Sequence, residues 1–239
     1  MITVQDIMML VARVIVLFVA FPLHEFSHAF VANKLGDPTA KNLGRLDLNP
    51  LAHMQPLPTL GMMVLATLLD ILTHRYMLGN MVLLLTSIFF FRAVPINPMY
   101  FKNRKGGTAL TALAGPFSNV LLGAAALLLY KIFLLFAPAS EFTVVLSLLF
   151  SSLISINLQL AAFNLLPIPP LDGSKVLAFF LSDRITYRIA RYTNYIMIAM
   201  IILLYATPVL DVVINFIYRI LYYVIDFLTG FVDLIAQLF

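Results

Sequence analysis

Phe18-Val19-Ala20-Phe21-Pro22-Leu23-His24-Glu25-Phe26-Ser27-His28-Ala29-Phe30-Val31 closes an apolar run that begins at Met8. The run is long enough to cross a bilayer as a helix, and its last third carries three ionisable side chains in five residues. Such groups are costly in hydrocarbon and mark function by default. His24 and His28 are four residues apart, so on a helix they stack on one face at the spacing of two nitrogen ligands to a single zinc ion. Glu25 stands beside the first of them, where zinc hydrolases place the residue that handles the attacking water. Pro22 lacks an amide hydrogen and loosens the span just before this group. Opened backbone at membrane depth is tolerated only against protein or a water-filled cavity, and peptide hydrolysis needs water.

The rest of the chain fits a membrane setting. Of 239 residues, 62% are hydrophobic and only 11% are charged, about half the charged share of a soluble domain; the mean hydropathy is +0.99. Residues 1–6 lack a basic region and no small-residue cleavage site follows, so the first span is expected to be retained. The absence of cysteine excludes disulfides, thiolate ligands and a cysteine nucleophile, and leaves histidine and carboxylate as metal ligands.

Apolar runs at Met8–Val31, Leu57–Thr73, Met77–Phe91, Ala109–Phe136, Thr143–Leu166 and Tyr195–Leu210 predict an all-α polytopic protein of about six spans. Arg13 and Lys131 fall near outer span ends and are expected to snorkel. Residues 211–239 are apolar but carry Asp211, Asn215, Arg219, Asp226 and Asp233 on one helical face. That segment either lies in the interface or turns its polar stripe to the bundle. Eleven of the fifteen basic residues fall in the segments 33–56, 92–107 and 172–193, on one side of a six-span chain. The positive-inside rule makes that side cytoplasmic. Basic residues scattered over three loops are topological signals, so nucleic acid is not an expected partner. The alternation at Leu46 and Leu48, between Gly44 and Asn49-Pro50, predicts a short strand at the cytoplasmic rim. A strand there has two readings: one that takes up an extended substrate by strand addition, and one that only closes the cavity. The whole of 1–239 reads as a single membrane domain with its core at 8–210.

A catalytic zinc takes three protein ligands and keeps one position open. The topology puts His74 on the far side, whereas His53 shares the side of the pair. The better candidate is Asp172, in Asn164-Leu165-Leu166-Pro167-Ile168-Pro169-Pro170-Leu171-Asp172-Gly173. Three prolines in four residues unwind the fifth span at its cytoplasmic end and bring a carboxylate to the side of the histidine pair. The competing role for Asp172 is a helix N-cap. Gly115, Asn119 and Gly123 form a small-residue stripe that admits a close helix neighbour. Asn119 is then placed either to hydrogen-bond the metal-bearing helix or merely to pack.

The His-Glu-x-x-His in a span and the distant Leu-Asp-Gly after an unwound Asn- and Pro-containing stretch resemble the site-2 protease family of intramembrane metalloproteases. Gly44-Arg45-Leu46 through Leu48-Asn49-Pro50-Leu51, Val94-Pro95-Ile96-Asn97-Pro98 and Ala114-Gly115-Pro116-Phe117-Ser118-Asn119 look like the matching segments of its compact bacterial members. The resemblance covers about residues 10–180. It implies one zinc ion per chain on His24, His28 and Asp172, with Glu25 as general base and Asn164 near the scissile bond. It also implies membrane-anchored substrates, such as anti-sigma factors or remnant signal peptides. His53-Met54-Gln55-Pro56 departs from the family in carrying Gln55 where Asp is usual. A metal-ion transporter using the same residues is the alternative; it needs weak, exchangeable ligation and has no necessary role for Glu25.

Overall fold

The computed structural model describes residues 3–73, 93–207 and 209–236. Among them every regular element is helical. Four helices are long and apolar enough to cross a membrane: α1 (Val4–Lys34), α5 (Arg104–Phe136), α6 (Glu141–Asn164) and α10 (Val209–Thr229). Between and around them lie α2 (Thr39–Asn42), α3 (Pro50–His53), α4 (Pro56–Thr73), α7 (Asp172–Phe180), α8 (Asp183–Arg191), α9 (Thr193–Ala206) and α11 (Phe231–Ala236). The expected second and sixth spans correspond to α4 and α9, whose apolar stretches are shorter. The expected span at 77–91 lies outside the described residues, as does His74. The C-terminal segment, in contrast, supplies a helix of spanning length.

Helix α1 starts at a capping box. The Thr3 hydroxyl accepts from the amide of Asp6, whose carboxylate in turn accepts from the Thr3 amide at 2.7 Å. Midway, Val16–Ala20 widens into a π-helical turn, and the amide of Phe21 bonds the Val16 carbonyl. Pro22 explains the position: it has no amide to offer Phe18, and its ring crowds that carbonyl, so the ladder slips by one residue. The histidine pair begins two residues later. Arg13 does not snorkel. It is fully buried, because α1 is central to the bundle and packs on both α5 and α6.

The third long helix in chain order, α6, ends at Asn164, and residues 165–171 are irregular, as Pro167, Pro169 and Pro170 require. Helix α5 is the hub and packs against α1, α6, α7 and α10. Gly123 permits the close α5–α6 approach, since a Cβ there would meet Leu158 Cδ2 at 3.0 Å. The main core joins Leu17, Ala20 and Phe21 of α1 to Ile156, Leu160 and Phe163 of α6 and to Leu210 and Ile214 of α10.

The rim strand is not formed. Residues 43–49 make turns and irregular backbone, with Gly44 at φ +68°, the Asp47 carboxylate accepting from the Asn49 amide at 3.0 Å, and Asn49 capping α3. Apolar–polar alternation is shared by strands and by capped turns. Only a ladder partner makes the first, and none is found among the described residues. Lys131 likewise does more than snorkel: its ammonium meets Asp226 at 2.7 Å and Asp233 at 2.5 Å. The polar stripe of the C-terminal segment therefore turns at these two positions to the bundle, and ties α10 and α11 to α5.

Candidate metal centre

The π turn and Pro22 set the rotation of the last turns of α1, so that His24 and His28 both face α5. Gly115 of α5 lies directly against them. A Cβ on Gly115 would come within 2.4 Å of His28 Nε2 and 2.5 Å of His24 Nε2, closer than a Cβ approaches any non-bonded atom, so only glycine admits both rings. Pro116 follows and leaves Ala112 without its helical donor. One residue earlier, the Thr111 carbonyl accepts from His28 Nδ1 at 2.7 Å. Asp172 arrives from the unwound stretch as the first residue of α7. There a Cβ on Gly173 would lie 2.2 Å from the Leu165 carbonyl oxygen, so the start of α7 can fold onto that chain only through glycine. Leu171, not Asp172, holds the N-cap position of α7.

The three groups converge. Asp172 Oδ2 lies 3.2 Å from His24 Nε2 and 3.1 Å from His28 Nε2, and the two nitrogens are 3.1 Å apart. All three residues are buried, and they form the one group among the described residues that satisfies the geometry of a metal site. The tautomers follow from the outer contacts. His24 Nδ1 donates to Asn119 Oδ1 at 2.7 Å. Asn119 Nδ2 donates to Asn157 Oδ1 at 3.5 Å, and Asn157 Nδ2 to the Leu153 carbonyl at 2.9 Å. This relay orients both amides and puts the His24 proton on Nδ1; the Thr111 carbonyl does the same for His28. Both Nε2 lone pairs and a carboxylate oxygen then point at one another, which repels unless a cation lies among them. Tetrahedral bonds to zinc would separate such donors by about 3.3 Å, close to the observed 3.1–3.2 Å. The donor set fits a divalent metal ion.

Burial raises the Asp172 carboxyl, and the Lys175 ammonium 2.9 Å from Oδ1 opposes this and favours the ionised form that a ligand must have. A cavity of about 130 Å³ opens beside the triad, lined among others by Glu25, Asn164 and Lys175. Glu25 is half-buried there. The Asn164 amide nitrogen donates back to the Leu160 carbonyl at 3.0 Å. His53 lies apart: it is fully buried, and its Nε2 meets the Asp47 carbonyl at 2.6 Å.

Two of three similar curated proteins match most of this chain. YwhC of Bacillus subtilis is 33% identical over 199 residues, 82% of this chain and 80% of the relative. The chain belongs to peptidase family M50. The family's sequence profile matches residues 132–204, which hold Asn157, Asn164, the proline stretch and Asp172. Rip2 of Mycolicibacterium smegmatis is 30% identical over 205 residues, 86% of this chain and 69% of the relative. MJ0611 of Methanocaldococcus jannaschii is 47% identical over 66 residues, 28% and 31% of the two chains. All three carry the name "Putative zinc metalloprotease". No solved structure matches the chain. Membership in this peptidase family and the four long apolar helices make it a membrane protein of the site-2 protease type.

Sequence reasoning missed Asn157, Lys175 and the Thr111 carbonyl. Asn157 had a signal: it stands two helical turns before Asn164 in an apolar helix, on the same face. A backbone carbonyl has none.

Proposed function

We propose that this M50 peptidase hydrolyses peptide bonds within or near the membrane-spanning segments of anchored protein substrates, with one zinc ion on His24, His28 and Asp172. The observation that carries the reading is the convergence of two Nδ1-protonated imidazoles and one carboxylate oxygen on a common point, beside a cavity that also holds a glutamate. Zinc, when bound, supplies Lewis acidity toward a carbonyl and lowers the pKa of water at the site. The chain's own residues do the rest. The Glu25 carboxylate takes a proton from the attacking water and returns it to the departing amine. The Asn164 amide, in the same cavity, holds the substrate backbone by hydrogen bonding. A helical substrate hides its amides in its own hydrogen bonds, so the substrate enters in extended form, which frees the scissile amide for attack.

The site belongs toward the cytoplasm on this reading. His28 precedes Lys34 by six helical residues, about 9 Å along the axis, and Lys41 and Arg45 follow. Residues 8–210 form the catalytic core and the bilayer is its setting. In nanodiscs, purified protein should cleave a single-span substrate, lose cleavage on chelation, and regain it with added zinc. Metal flux into liposomes without cleavage of any span would favour the transporter instead.

A further inference from the structure

Asp172 offers its two oxygens to different partners. Oδ2 faces both imidazoles, whereas Oδ1 accepts from the Lys175 ammonium at 2.9 Å. Lys175 lies one turn along α7 from Asp172 and lines the same cavity as Glu25 and Asn164, with 39% of its side chain exposed. A carboxylate is able to bind a metal through one oxygen or both, and an ammonium on one oxygen settles the choice. We infer that Lys175 is a positioning residue that restricts Asp172 to a single ligating oxygen and so keeps the remaining side of the centre free for water and substrate.

This inference rests on the zinc reading above. It also makes a demand that structural support alone does not. If Lys175 only propped the helix, its loss would weaken metal retention. If it restrains Oδ1, its loss leaves the metal in place but lets the second oxygen join. Arginine, whose guanidinium also donates to a carboxylate, should preserve the restraint; methionine, of similar length and uncharged, should not.

The test uses full-length protein in detergent or nanodiscs, reconstituted with cobalt(II) as a spectroscopic stand-in for zinc. Wild type and Lys175→Arg should take up one equivalent and give the same intense visible bands. Lys175→Met should also take up one equivalent, with bands weakened severalfold by the added oxygen donor and with turnover down by about 10–100-fold. An unchanged Lys175→Met spectrum with unchanged turnover overturns the inference, as does a Lys175→Met protein that folds but no longer retains metal. A wild-type protein that takes up no metal would instead overturn the zinc reading itself.

Discussion

Glu25→Gln should retain its zinc and lose cleavage by roughly 10²–10⁴-fold, the usual contribution of a positioned general base. The glutamate lines the cavity beside the metal-binding group, yet it is not one of the three residues that converge. Glutamine keeps the length and shape of the side chain while removing the proton acceptor, so the fold and the ligand set should survive. The two readouts are metal content of the purified variant and cleavage of a single-span substrate in nanodiscs. Cleavage at the wild-type rate would remove Glu25 from the mechanism. Loss of metal together with activity would make it a structural support.

Gly115→Ala should be as damaging although it adds only a single uncharged methyl group. That methyl would have to occupy space 2.4–2.5 Å from both Nε2 atoms. Neither imidazole has freedom to retreat: His24 is held through Nδ1 by Asn119, and His28 by the Thr111 carbonyl. The rings must leave their common focus, so metal affinity and turnover are both expected to fall by about 100-fold, at the upper end of what outer supports of a metal site carry. Overpacking should add about 1–3 kcal/mol of destabilisation. Gly123→Ala is the matched control. Its new Cβ would meet the end of the flexible Leu158 side chain at 3.0 Å, and the centre should keep its metal. Chelator competition on the two variants checks this; equal affinities would show that the rings give way.

The chemistry was more legible in the sequence than the scaffold. His24 and His28 are readable because a helical repeat places them on one face whatever packs against it, Glu25 because it adjoins the first of them, and Asp172 because three nearby prolines forbid helix. The stripe of Gly115, Asn119 and Gly123 is readable for the same local reason, and each of its members meets α1 or α6 as a close approach requires. What stayed hidden depends on tertiary neighbours. Arg13 looks like a snorkelling residue until α1 is found in the middle of the bundle, and Leu46 and Leu48 look like a strand until no ladder partner appears. Lys175 is an ordinary loop cation in sequence; only the turn of α7 brings it to Asp172.

Zinc stoichiometry tests the central claim most directly. Purified wild-type protein should hold one zinc ion per chain by elemental analysis, and Asp172→Ala, prepared in parallel and folded, should hold almost none. Wild-type protein that cleaves its substrate while free of transition metal, or an Asp172→Ala variant that retains a full equivalent of zinc, would contradict it.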